Sequence, residues 1–115
     1  MNHRFEASAG AIAWEPIAQA PGTSRATVPT ERGREPYRLA KWKAEPGTYP
    51  RPGGMTWSET FVVYKGRGRL KSEKETVELS PGTVIDIVQG VPYTLEVFET
   101  LEKVAVVTLA AAAKA

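Results

Sequence analysis

Two side chains in this sequence, a glutamate and a tyrosine, have the chemistry and the placing to serve one site. Glu59 lies in the alternating stretch 57–64, and its face of that stretch also carries Trp57, Phe61 and Val63. A carboxylate among bulky apolar side chains is costly to bury unless it is paired or binds a ligand, so in a cavity it is a candidate general base. Tyr93 begins a second alternating stretch and is the candidate acid or hydrogen-bond donor. Glu59 and Tyr93 are therefore the predicted catalytic residues.

Each of these two assignments has an alternative. Glu59 could lie at the end of its strand, in water at the mouth of a barrel. Tyr93 could be a rim residue that only packs, which is the more frequent case. Asp86 interrupts an apolar run and is predicted to face outward, with Ile85 and Ile87 facing inward.

The residue types that usually build metal sites and nucleophiles are scarce among the 115 residues. Cysteine is absent, which excludes disulfides, thiolate ligands and cysteine nucleophiles. The single histidine is His3, so one chain cannot assemble the two or three imidazoles that usually hold zinc or non-haem iron. A serine–histidine–aspartate site would have to use that residue near the start of the chain.

Short strands separated by glycine and proline account for most of the sequence. Strand patterns occupy 37–44, 57–64, 68–72, 75–79, 83–88, 93–98 and 104–109. About seven short strands without a convincing helix predict an all-β sandwich or barrel. The turn-rich residues 1–36 are predicted to form an N-terminal arm of edge strands, 37–109 the barrel and 110–115 a tail. Because no apolar run could span a membrane and the start lacks an apolar signal segment, a cytoplasmic protein without a membrane partner is expected.

Positive charge is concentrated in one part of the sequence. The net charge is +2, and residues 25–51 contain seven basic residues against three glutamates. Such a patch could bind an anionic partner, although exposed lysines are also common on sheet edges. Nucleic-acid binding is not expected, because aromatic residues are not interleaved with this charge.

The spacing of several glycines relative to Glu59 resembles the cupin superfamily, the RmlC-like jelly rolls, over about residues 38–107. In the first cupin motif a glutamate and a glycine are separated by six residues, as Glu59 and Gly66 are here. In the second motif Gly82, Gly90 and Tyr93 take the expected places, with Tyr93 in that of a histidine. The sequence is more narrowly similar to single cupin domains of the ureidoglycine aminohydrolase type and the ethanolamine-utilisation Q type. The resemblance implies a double-stranded β-helix barrel with an N-terminal arm.

The resemblance also bears on metal binding and on the oligomeric state. The places of the first-motif histidines fall within residues 52–55, which leaves Glu59 as the only surviving metal-ligand position and Tyr93 as an oxygen substitute. No tightly bound cofactor is therefore expected, and a weakly bound divalent metal is left open. In the implied homodimer the arm lies across the partner's sheet, and its apolar residues are Phe5, Ile12, Trp14, Ile17 and Val28.

Three functions are compatible with these residues. The first is a small cupin of unassigned activity that binds a small polar metabolite in the barrel. Its ligand would contact Glu59 and Tyr93 and walls formed by Trp57, Phe61, Val63, Met55 and Leu95. The second is a hydrolase or lyase that acts on an amine- or ureido-type substrate through Glu59. The third is a structural or regulatory dimer whose basic patch binds an anionic partner.

Overall fold

A computed structural model describes residues 13–27 and 37–108, and every regular element within these ranges is a β-strand. The strands are β1 (Glu15–Pro16), β2 (Thr23–Thr27), β3 (Tyr37–Ala44), β4 (Gly47–Arg51), β5 (Ser58–Lys71), β6 (Thr76–Leu79), β7 (Val84–Ile87) and β8 (Tyr93–Thr108). The predicted all-β class is confirmed. No helix in the described part of the chain is long and apolar enough to cross a membrane.

The two longest strands, β5 and β8, organise the fold. They pair antiparallel, with Ser58 opposite Thr108 at one end and Lys71 opposite Thr94 at the other. β7 and β3 flank one half of this pair, and β6 and β4 flank the other half. The result is two half-sheets that share β5 and β8 and face each other across the interior.

β5 passes from one half-sheet to the other through an irregular segment. Its register against β8 shifts between Val63 and Gly68, and such bulges bend a strand. Gly66 has φ +92°, and a Cβ added there would overlap the carbonyl oxygen of Thr100 on β8. Glycine is therefore required where the two backbones come closest.

This bend explains a wrong prediction of strand ends. The sequence predicts separate strands at 57–64 and 68–72 and again at 93–98 and 104–109. The structure has one continuous strand in each case, Ser58–Lys71 and Tyr93–Thr108. The glycines of β5 resemble turn signals, but they bend the strand without ending it.

β4 is the strand that the sequence patterns miss, because it contains Pro50 and follows the Pro46-Gly47 signal. Among the described residues β4 pairs only with β8, and Pro50 lies opposite Thr94. A proline is tolerated in such an edge strand, since its missing N–H leaves no neighbouring strand unpaired.

The alternation of the central strands places their apolar side chains in one core. Its buried members are Ala44, Met55, Phe61, Val63, Leu79, Ile87, Leu95, Val97, Leu101, Ala105 and Val107. On β7, Ile87 is buried and Ile85 half-buried, whereas Asp86 is exposed and accepts a hydrogen bond of 2.6 Å from the Thr60 hydroxyl. The outward orientation predicted for Asp86 agrees with this geometry.

The described part of the predicted arm belongs to the chain's own sheet. β2 pairs with β3 along 23–27, and β1 pairs with β2 at the sheet edge. None of the apolar residues expected to lack a sheet of their own lies in β1 or β2, so the predicted arm stays a prediction. Phe5, Ile12, Val28, His3 and the tail 110–115 lie outside the described residues. The expected homodimer stays a prediction.

Candidate functional site

A cavity of about 640 Å³ lies between the two half-sheets. Exposed residues of the β1–β2 turn and of β4 are among its lining, so it opens to solvent on that side. Six of the seven residues predicted from the sequence line it, namely Met55, Trp57, Glu59, Phe61, Tyr93 and Leu95. The alternation of β5 and β8 thus brings the predicted carboxylate and the predicted phenol into one chamber.

Val63 is the exception, and its assignment as a ligand-contacting residue is corrected. Its side chain has no exposed surface and does not line the cavity. The inward face of β5 continues beyond the chamber, into the part of the core that contains the fully buried Leu79. Facing inward is therefore not enough to place a residue on the cavity wall.

Glu59 is buried and paired with a lysine that the sequence patterns do not single out. The Lys103 ammonium donates a hydrogen bond of 2.6 Å from Nζ to Oε2 of Glu59. The two side chains are only 11% and 5% exposed, respectively. The alternative that Glu59 lies in water at the mouth does not hold, because its burial is accompanied by this opposite charge.

The other oxygen of Glu59 is also occupied. The indole Nε1–H of Trp57, two residues earlier on the same face, donates to Oε1 over 3.0 Å. Each carboxylate oxygen thus has its own donor, which fixes the orientation of the group. Glu59 is thus held as the charge partner of Lys103, with both oxygens engaged by neighbouring side chains.

Aromatic rings surround the ammonium of Lys103. Its Nζ lies 3.9 Å from the centroid of the Phe61 ring and 4.8 Å from a Trp42 ring centroid. Cation–π contacts of this kind stabilise a desolvated cation. Burial nevertheless lowers the pKa of Lys103, and the neighbouring Glu59 carboxylate opposes that effect.

Tyr93 lies at the junction of the cavity with β4. Arg51 is its cross-strand neighbour, and the Arg51 guanidinium interacts with the Tyr93 hydroxyl. Burial raises the pKa of Tyr93, although the Arg51 charge opposes this. Because the phenol stays protonated at neutral pH, Tyr93 can donate a hydrogen bond to a ligand.

The lining carries more positive than negative charge. Arg25, Lys41, Arg51 and Lys103 line the cavity, and Glu59 is the carboxylate in its described lining. The predicted basic patch is therefore divided. Arg25, Lys41 and Arg51 line the cavity, whereas Lys43 does not. The Nζ atoms of Lys41 and Lys43 lie 4.9 and 4.6 Å from the Trp14 ring centroids.

Comparison with known proteins identifies the fold. No protein-family model and no curated protein sequence matches the chain. The ethanolamine utilization protein EutQ of Salmonella typhimurium is similar in structure, with a TM-score of 0.75 and 15% identity over 89% of this chain and 83% of that one. The polyketide cyclase RemF of Streptomyces resistomycificus has a TM-score of 0.71 and 22% identity over 96% and 80%. A cupin-2 domain of Rhodospirillum rubrum has a TM-score of 0.68 and 15% identity over 94% and 74%.

The chain has the cupin fold. The predicted double-stranded β-helix, or jelly roll, is thereby confirmed. At these identities the likeness concerns the fold alone, and the narrower ureidoglycine aminohydrolase type is not established by it.

A metal ion, which cupins commonly hold, does not fit the donors that this cupin barrel offers. Among the described residues, no three histidine, cysteine, aspartate or glutamate side chains are placed so that they could hold a metal ion together. Glu59 already accepts from Lys103 and Trp57, and an ammonium 2.6 Å from Oε2 repels a second cation. A neutral phenol and one occupied carboxylate are a poor donor set for a transition metal.

We expect added metal to leave the stability of the protein unchanged. A ligand that binds the folded state raises Tm, and a tighter ligand raises it more, so without a metal site Mn²⁺, Zn²⁺ or a chelator should produce no shift in calorimetry. The Lys103→Met variant is the control, because it removes the ammonium that blocks Glu59. A metal-dependent rise in Tm of the unaltered protein, with stoichiometric metal by elemental analysis, would contradict this interpretation.

Proposed function

We propose that the barrel binds a small organic acid, an anionic group on an apolar body, without help from a metal. The observation that carries this proposal is the composition of the cavity. Its walls are largely aromatic and aliphatic, and its lining combines four basic residues with one carboxylate that is already paired. A cavity of about 640 Å³ is also of the size that drug-sized ligands occupy in proteins.

The two ends of the ligand have separate places in this proposal. The anionic group lies beside Arg51 and Tyr93, where a guanidinium and a protonated phenol offer donors on neighbouring strands. The apolar body lies deeper, against Trp57 and Phe61. Burying the apolar body supplies most of the affinity, and the charged contact supplies the preference for an anion.

The two alternative functions have less support. A hydrolase or lyase that uses Glu59 as general base on its substrate needs a carboxylate oxygen that faces the substrate, and the oxygens of Glu59 are engaged by Trp57 and Lys103 instead. A partner held by the basic patch needs an outward-facing charged surface, and three described members of that patch, Arg25, Lys41 and Arg51, line the cavity instead. The similar proteins include a cyclase, but at such low sequence identity its activity cannot be assigned to this chain.

Aromatic acids and their amides provide the test, because the members of each pair differ mainly in charge. We expect 2-naphthoate and benzoate to bind at least about tenfold more tightly than 2-naphthamide and benzamide, measured by calorimetric titration, since a charged hydrogen bond contributes about 1.5–3 kcal/mol. Arg51→Gln should remove most of this preference.

Arg67→Gln is the matched control, because Arg67 is an exposed arginine on β5 that does not line the cavity. Its affinities for the acids should equal those of the unaltered protein. Equal affinity for acid and amide, or a loss as large in Arg67→Gln as in Arg51→Gln, would refute the proposed anion site.

A further inference from the structure

We propose that Lys103 captures the carbonyl group of an aldehyde or ketone ligand as an imine, with Glu59 transferring the protons. This deepens the proposed function, on which it rests, by naming the ligand class: an organic acid that also carries a carbonyl group, such as a 2-oxo acid. Three features support the imine, namely the position of the amine, its contact with Glu59 and the charge balance of the product.

The position of the Lys103 amine suits covalent capture. Its side chain lines the cavity and is 11% exposed, whereas the side chain of the surface residue Lys65 is 66% exposed. Phe61 and Trp42 pack against the ammonium, so little water competes with a ligand for it. Imines hydrolyse in water, and a cavity with apolar walls favours them over the free amine.

Glu59 is placed to move the protons that imine formation requires. Its Oε2 is 2.6 Å from Nζ of Lys103, within direct transfer distance. Transfer of one proton to Glu59 frees the nitrogen lone pair, which forms a bond to the carbonyl carbon. Glu59 then delivers that proton to the carbonyl oxygen. It next moves a second proton from the nitrogen to the same oxygen. The oxygen leaves as water when the carbon–nitrogen double bond forms.

The overall reaction conserves charge inside the barrel. An ammonium with three protons and a carbonyl group become a protonated imine with one proton and a molecule of water. No oxidant or reductant takes part. The positive charge stays on the same nitrogen, opposite the Glu59 carboxylate, so the buried ion pair survives the reaction. A product that left Glu59 unpaired in this cavity would be strongly disfavoured.

Arg51 and Tyr93 supply the selectivity for an acid. The positive charge of Arg51 acts on both Tyr93 and Lys103, so the three groups belong to one electrostatic cluster. A carboxylate held by Arg51 directs the carbonyl carbon of a short 2-oxo acid inward. Holding the two reactants in this way converts imine formation into a step within one complex.

The test uses the full chain with pyruvate or phenylpyruvate and sodium cyanoborohydride, which reduces the imine to a stable amine. Peptide mass mapping should locate one adduct per chain on Lys103, at ligand concentrations that leave Lys65 and Lys74 almost unmodified. Benzoate, which has no carbonyl group that forms an imine, should slow the modification by competition. Glu59→Gln should slow it by about a hundredfold, the usual contribution of a positioned proton-transfer group.

Lys103→Arg is the decisive variant, because arginine keeps the positive charge beside Glu59 but has no primary amine. It should fold, as thermal unfolding would show, and form no adduct at position 103. Adduct spread evenly over the surface lysines, with the same pattern in Lys103→Arg, would overturn the imine. If benzoate binds the unaltered protein but Lys103 stays unmodified, the imine is refuted and the anion site stands. If neither benzoate nor pyruvate binds, both proposals fail.

Discussion

Replacing Lys103 with methionine is expected to lower the free energy of unfolding by about 3 kcal/mol or more, since removing one member of a buried ion pair leaves an uncompensated charge. Glu59 is 5% exposed and would lose its shortest contact, the 2.6 Å hydrogen bond from Nζ. Methionine has nearly the same length as lysine, so the packing against Phe61 is largely kept. Thermal unfolding should show a fall in Tm of more than about 10 °C.

The double variant Glu59→Gln/Lys103→Met separates the loss of charge pairing from the loss of packing. Two neutral side chains of similar volume need no charge partner, so we expect the double variant to be more stable than Lys103→Met alone. Trp57 Nε1–H retains an acceptor, because glutamine keeps a side-chain oxygen. A Lys103→Met protein as stable as the unaltered one would show that the ion pair is solvated and does not stabilise the barrel.

Gly66→Ala is expected to be the second strongly destabilising change, with a loss of about 3 kcal/mol or more. Two effects act together at this position. The backbone φ of +92° is unfavourable for alanine, and the new Cβ would overlap the Thr100 carbonyl oxygen and lie 2.7 Å from Cα of Leu101. Both neighbours are backbone atoms of β8, so relief requires the two long strands to separate locally. Denaturant unfolding would measure the loss.

Two other glycines provide controls that separate the effect of backbone conformation from that of the close contact. Gly82 has φ +98°, but no atom lies within 4 Å of the place that a Cβ would take, so Gly82→Ala should lose only about 1–2 kcal/mol from backbone conformation. Gly53 has neither a positive φ in this range nor a close neighbour, so Gly53→Ala should change stability by at most about 0.5 kcal/mol. A Gly66→Ala loss no larger than that of Gly82→Ala would show that β5 and β8 do not need to approach closely.

The alternation of single strands could be predicted from the sequence because it depends on local residue order. The inward face of 57–63 and the outward orientation of Asp86 follow from the two-residue period of a strand. The continuity of β5 through Gly66 could not be predicted in this way. A glycine ends a strand or bends it according to what lies opposite, and here that is Thr100, from a distant part of the chain.

The burial of Lys103 could not be predicted from local residue order either. The sequence pattern predicts an apolar run that begins only at Val104, since lysine usually marks a strand end or an exposed edge. Lys103 nevertheless has the parity of the buried Ala105 and Val107, and this is the signal that the sequence offers. A lysine of that parity can be buried only if a carboxylate lies within reach of its ammonium. Glu59 lies on another strand, and the topology alone brings the two together.

The sharing of β5 and β8 by both half-sheets has a consequence for how the protein folds. Their pairing joins residues far apart in sequence, such as Ser58 and Thr108, and chains dominated by such pairings fold slowly. Neither half-sheet has a central strand of its own, so neither can form as a separate cooperative unit. Glu59 belongs to β5 and Lys103 to β8. The event that closes the barrel therefore also creates the charged pair, and the protein gains its fold and its cavity in one step.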